Sequence, residues 1–285
     1  MSVKQHIPWQ VRIAVKLVLA RLPLDYEVFK KAGFFNLGEM ESPDYALAVC
    51  RQHFGAANLC GRTDFTALEL GPGDSLVSAL IARAYGARRT YLVDVGPFAS
   101  KNLGPYRTLA GRLRELGLRP PDVEVCSTFA DLQAACGMQY LTEGLVSLRS
   151  IPTGSVDFVW SHAVLAHVRL EELLPTLVEL RRIQRPGGVG SHYTGFGDVL
   201  GGGLNDLRFS ERVWESPFMA NSGFYTNRVQ YQELMRFFEI AGFGPEIIRL
   251  SRRTTLPIPR RKMSAPFAEL PEEDLRVCGL QVLLR

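Results

Sequence analysis

Residues 67–74, ALELGPGD, form an apolar run that stops at glycine, proline and glycine, with one acid, Glu69, inside it. The run belongs to a longer segment, FTALEL, which reads as a short buried strand, and a helical pattern follows over 75–85. The alternation then repeats as TYLVD, a helix over 99–116, DVEVC, a weakly patterned stretch, SVDFVWS, a helix over 170–183, and GVGSHYT. Strands alternating with helices predict an α/β fold, a doubly wound and mostly parallel sheet covered on both faces. After a helix over 230–241 the chain closes with PEIIRLS and LRVCGLQVLLR. No helix reads between these two runs, which predicts an antiparallel closing strand at the sheet edge.

Ahead of this series, residues 1–62 read as a helical N-terminal extension, leaving 63–285 as the main domain. The stretch IPWQVRIAVKLVLARLP is interrupted by Arg12, Lys16 and Arg21, so it is too short and too charged for a membrane span. It is expected to be an amphipathic helix laying Ile13, Val15, Leu17 and Leu19 on the domain, with peripheral membrane contact as the second reading. A net charge of +4 with scattered arginines gives little reason to expect a nucleic-acid partner. The five cysteines have no CxxC or Cys/His ligand spacing, which suits reduced thiols and a cytoplasmic location.

In an open α/β sheet, ligands bind at the carboxyl ends of the strands, and a glycine turn after the first strand lets them approach the backbone. ELGPGDS stands at that place, but the third position of a dinucleotide fingerprint is Leu76 and the first gap holds proline. This argues against an NAD-dependent oxidoreductase, the rival enzyme class. Asp94 ends the second strand roughly twenty residues on, where an acid accepts hydrogen bonds from ribose hydroxyls. Glu69 sits one residue before the turn, and a cationic ligand would give a carboxylate there a role.

LELGPGD, YLVD, VDFVWSHAVLAHV and LVELRRIQRPGGVG, in this order and spacing, resemble the class I S-adenosylmethionine-dependent methyltransferases. The resemblance covers 64–195 by motif and runs to 285 by element order. It implies a Rossmann-like methyltransferase fold with S-adenosylmethionine as cofactor, no resident metal, and transfer to a small-molecule or saccharide acceptor. Carried over, Glu69, Gly71, Pro72 and Gly73 shape the methionine end of the cofactor and Asp94 holds the ribose. Gly144 and Leu145 lie near the adenine, and Ser161 and His162 face the sulfur. The alternative outside enzymes is a protein that binds the cofactor without turnover.

A hydroxyl acceptor must lose a proton near the time of attack, and histidine suits that task at neutral pH. His162, His167 and His192 are the candidate bases for O-methylation, with N-methylation of a specialised metabolite as the alternative. A metal mechanism through Asp198, Asn205 and Asp206 is the weaker option beside a plain solvated loop. Residues 195–228 are long for a connection, glycine-rich at the start and then aromatic, which predicts a lid over the acceptor. Arg208, Trp214, Phe218, Phe224 and Tyr225 are its candidate acceptor contacts. This insert and the segment LPLDYEVFKKAGFF resemble, more loosely, methyltransferases of bacterial polysaccharide or glycolipid assembly.

Overall fold

The structure is a computed structural model that describes residues 9–19, 39–59, 61–199 and 201–285. LPLDYEVFKKAGFF, Leu19's side chain and Cys60 lie outside the described residues. The expected alternation forms a seven-stranded sheet in the order β3-β2-β1-β4-β5-β7-β6. Its strands are β1 (Phe65–Leu70), β2 (Ala87–Val93), β3 (Met138–Leu141), β4 (Val156–His162), β5 (Gln184–Gly195), β6 (Pro245–Arg252) and β7 (Val277–Leu284). The first five run parallel, and β7 lies antiparallel between β5 and β6. Every residue of β1 is buried, as a central strand covered on both faces requires.

Helices α1 (Trp9–Leu19), α2 (Pro43–Ala56), α3 (Val77–Ala84), α4 (Gly104–Glu115), α5 (Phe129–Cys136), α6 (Gly144–Ser150), α7 (Leu170–Ile183) and α8 (Tyr231–Ile240) fill the connections and flanks. One apolar core joins α2, α3, α4 and α5 to the sheet. Phe54 of α2 sits at its middle, edge-on to Phe158 and Trp160 at centroid distances of 5.0 and 5.5 Å. The second core joins α6, α7 and α8 to the other face through Leu148, Leu173, Leu177, Leu180 and Phe238.

The structure differs from the sequence reading at three places. DVEVC is a turn and not a strand: the Asp122 carboxylate accepts the Glu124 amide at 3.1 Å, the Cys126 amide reaches the Val123 carbonyl, and Val125 stands exposed. A short polar side chain bonding its neighbouring backbone competes with a sheet ladder. The third strand comes after α5, whose start is a Thr128/Asp131 capping box and whose end is Gly137 at φ +60°. In α1, Ile13 is buried and Trp9 and Leu17 pack beside it, but Val15 faces outward. Successive helical residues turn by about 100°, so Ile13 and Val15 cannot share a face.

The third difference is the insert. Trp214, Phe224 and Tyr225 do not line an open loop; they form a small core with Ile13 of α1, and Trp214 is 1% exposed. The indole of Trp214 donates to the Thr226 carbonyl at 2.7 Å, and the Tyr225 hydroxyl donates to Glu215 at 2.8 Å. Arg228 is buried at φ +60°, its guanidinium donating to the Phe209 carbonyl at 2.7 Å and lying over the Trp214 ring. Of the insert's expected acceptor contacts, Phe218 is exposed, and Arg208 is half-buried over the Trp9 ring. The glycine-rich start is closed by Asp198, which accepts the Asn205 amide at 2.7 Å and the Asn205 side chain at 3.0 Å.

A buried indole of this kind is a structural residue. Trp214→Ala is expected to cost about 3–5 kcal/mol of unfolding free energy. Amide exchange over 211–230 is expected to be protected before any ligand is added. Fast exchange there that slows only with ligand would restore the lid reading.

Candidate active site

The chain leaves β1 through Gly71 and Gly73, both left-handed at φ +72° and +71°, a conformation that favours glycine. The Gly71 amide bonds the Val93 carbonyl at 2.8 Å, which seats the turn beside the end of β2. A Cβ on Gly71 would run into Val164, so the turn and the segment after β4 close on each other. Pro72 is buried between the two glycines.

Asp94 follows β2 and is half-buried. Its carboxylate accepts the Gly73 amide at 3.0 Å and the Val95 amide at 2.7 Å, while burial moves its pKa upward. Each oxygen keeps a lone pair for a further donor, as a diol-binding carboxylate needs. The Gly144 amide donates to the Asp94 carbonyl at 2.8 Å, which brings Gly144 and Leu145 to the same edge. Glu143, next to them, is exposed.

Glu69 is 3% exposed and already engaged by the protein. The Trp160 indole donates to one oxygen at 3.1 Å and the Ser78 hydroxyl to the other. Burial pushes its pKa up to about 7 against these two bonds, with the Asp94 charge adding to the rise. The carboxylate therefore supports the turn from beneath, tying β1 to its register partner on β4 and to α3.

The three sequence-predicted histidines fall in different settings. His192 is 1% exposed, and its Nδ1 lies 2.8 Å from the Ser161 hydroxyl. Both side chains are buried, and Ser161 is turned toward His192 on β5. Burial lowers the His192 pKa to about 4. His162 ends β4, half-buried and stacked on Tyr193 at 4.8 Å. Ala163 follows at φ +59°, a left-handed alanine that turns the chain sharply out of the sheet. His167 is exposed at the end of the short helix Leu165–His167, its Nδ1 2.9 Å from the Tyr225 carbonyl.

Sequence reasoning missed two residues. Asn227 clips the post-β4 segment: its amide donates to the Leu165 and Val168 carbonyls at 2.7 and 3.0 Å, and its backbone N–H to Ala166. His53 of α2, fully buried, places Nε2 3.1 Å from His162 Nδ1 and Nδ1 2.9 Å from the Ser191 hydroxyl. It lies more than a hundred residues from its partners, and no local pattern announces it.

Residues 93–190 match the family model described as a methyltransferase domain. None of the curated proteins matches the sequence. Among solved structures, an S-adenosylmethionine-dependent methyltransferase from Methanosarcina mazei is 16% identical, with 80% of this chain and 94% of that one aligned at a TM-score of 0.45. One from Mesorhizobium loti is 14% identical, with coverage of 88% and 100% and a TM-score of 0.44.

Glu69 generates a pH signature. In the fold it keeps its proton up to about 7, against 4.5 for an exposed glutamate. The raised value means stability falls as pH climbs from about 4.5 to about 7, by roughly 3 kcal/mol in all. Glu69→Gln, which keeps an acceptor for Trp160, is expected to lose this decline. Asp206, raised to about 6 by burial, contributes equally to both proteins. Chemical denaturation at acid and alkaline ends of that window checks it; parallel curves for the two proteins would contradict it.

Proposed function

The chain is an S-adenosylmethionine-dependent methyltransferase, its residues 93–190 matching the methyltransferase domain family, and from that premise we propose that it methylates a hydroxyl oxygen on a saccharide or other polar small molecule. The cofactor brings a methyl group already activated on a sulfonium sulfur. The protein then has to position the acceptor, exclude water and take up one proton.

Asp94 would accept from the ribose hydroxyls, held in orientation by the Gly73 and Val95 amides. The left-handed turn through Gly71 and Gly73 would border the methionine end with its backbone, and Gly144 with Leu145 would border the adenine. Glu69 acts through the turn it supports.

The observation that carries the hydroxyl reading is the fixed tautomer of His167. A carbonyl only accepts, so the contact of 2.9 Å to the Tyr225 oxygen keeps the proton on Nδ1 and leaves Nε2 with its lone pair. That nitrogen belongs to a segment leaning on the glycine turn. His167 takes the hydroxyl proton at Nε2, and the Tyr225 carbonyl stabilises the imidazolium through Nδ1–H.

Arg208 and Phe218 on the insert are the side chains we assign to acceptor contact, with Trp214, Phe224 and Tyr225 as the layer beneath them. A role in polysaccharide or glycolipid assembly rests on the loose resemblance of the insert. Free thiols at Cys50, Cys126, Cys136 and Cys278 support a reducing, cytoplasmic setting. The outward apolar stripe Val11, Val15 and Val18 on α1 supports peripheral contact with a membrane surface. No helix among the described residues is long and apolar enough to cross a membrane.

Asp94→Ala is expected to weaken S-adenosylhomocysteine binding by about 1.5–3 kcal/mol in calorimetry, and unchanged affinity would remove the ribose assignment. For the base, saccharide, simple hydroxyl and amine acceptors are screened with S-adenosylmethionine. His167→Gln is expected to lower turnover on the hydroxyl acceptor by roughly a hundredfold or more, leaving cofactor-product affinity intact. Full turnover in that variant, or transfer to amines alone, would sink the hydroxyl mechanism through His167.

A further inference from the structure

Behind the end of β4 lies a line of three side chains, Ser191 on β5, His53 on α2 and His162, that the mechanism above leaves unused. The Ser191 hydroxyl is 0% exposed, and its hydrogen-bond partner among the described residues is His53 Nδ1 at 2.9 Å. His53 Nε2 then meets His162 Nδ1 at 3.1 Å, the two rings perpendicular.

The direction of the protons along this line follows from what each group needs. A buried hydroxyl that only accepted would leave its own O–H without an acceptor, at a cost of about 1–3 kcal/mol. Ser191 therefore donates to His53 Nδ1. His53 is neutral, its pKa lowered to about 3 by burial and by the neighbouring His162 and His192 against a smaller raising effect of the Ser191 backbone; with the Ser191 hydroxyl donating to Nδ1, its one ring proton is on Nε2. That proton is donated to His162 Nδ1. His162 is neutral as well, its pKa lowered to about 4 by burial and by Arg249. Its remaining neighbours, Tyr193 beneath the ring and Tyr45 at its edge, 6.4 Å away, touch it through ring faces and edges.

The geometry points to His53 as a positioning residue that, driven by Ser191, holds His162 in the Nε2–H form, so that His162 presents a neutral hydrogen-bond donor, and not a base, at the carboxyl edge of the sheet. The inference deepens the reading above and rests on it only for placing the acceptor beside β4. It divides the labour between the two exposed-edge histidines: His167 has a lone pair to take a proton, and His162 has a proton to offer an acceptor oxygen. The opposite tautomers come from opposite partners, an obligate acceptor behind His167 and a donor chain behind His162.

Long-range proton–nitrogen correlation spectra of the full chain, with nitrogen-labelled histidine and S-adenosylhomocysteine present, read each ring's tautomer directly. At neutral pH the His162 signal, identified by its loss in His162→Asn, is expected as a single Nε2–H tautomer, with His53 likewise Nε2–H. Ser191→Ala removes the donor that sets the direction, and the expected result is loss of the single form to a mixture of both His162 tautomers. A wild-type His162 in the Nδ1–H form overturns the proposal, and so does an unchanged single form in Ser191→Ala. The wild-type spectrum decides even if the variant fails to fold. No methyl transfer is needed for this readout: failure on every hydroxyl acceptor, with His162 still Nε2–H, would sink the hydroxyl reading and leave this one standing.

Discussion

The hydrogen bonds to the Glu69 carboxylate are the constraint on which the site depends. A carboxyl in the middle of a fully covered strand is costly unless its oxygens are satisfied. Here the donors come from two different elements, the Trp160 indole on β4 and the Ser78 hydroxyl on α3. The carboxyl thus fixes the distance between β1 and β4 and the position of α3 behind the glycine turn. Everything at the carboxyl edge is referred to that junction: Gly71 is pressed against Val164, Gly73 is tied to Asp94, and Asp94 is joined in turn to Gly144. One buried acid sets the frame, and the glycines determine what can approach it.

The strand and helix alternation, the glycine turn and Asp94 were legible because each is local. An apolar run followed by left-handed glycines needs no tertiary information, and α7 was readable to its end residues from periodicity alone. Glu69 stood out as an oddity, but its partners Ser78 and Trp160 are a fold-level fact. DVEVC misled because Val123 and Val125 alternate like a strand while Asp122 ties the backbone into a turn. The third strand, MQYL, is only four residues long and half-covered, so it carried little signal. His53 and Asn227 were invisible for a plainer reason: their meaning lies wholly in contacts with distant parts of the chain.

The aromatic insert packs more closely than its composition suggests. Glycines followed by aromatics read as a flexible cover, but Trp214, Phe224 and Tyr225 had somewhere to go, the face of α1 that carries Ile13. With Arg228 capping that cluster and Asp198 closing the glycine loop, the insert is a second small core joined to the main one. The N-terminal helix backs the aromatic layer beside Arg208. Tyr225 links that layer to His167, lending its carbonyl to the histidine and its ring to the cluster.

Asn227 grips the segment after β4 entirely through main-chain carbonyls, those of Leu165, Ala166 and Val168. A grip of that kind is blind to the side chains of the residues it holds. Ala166, between the buried Leu165 and the exposed His167, is therefore open to redesign: its side chain could be exchanged without dismantling the path of the backbone that bears it. The chain has in effect separated the scaffold of this segment from its vocabulary, and an engineer seeking a new acceptor would vary the second while leaving Asn227 alone.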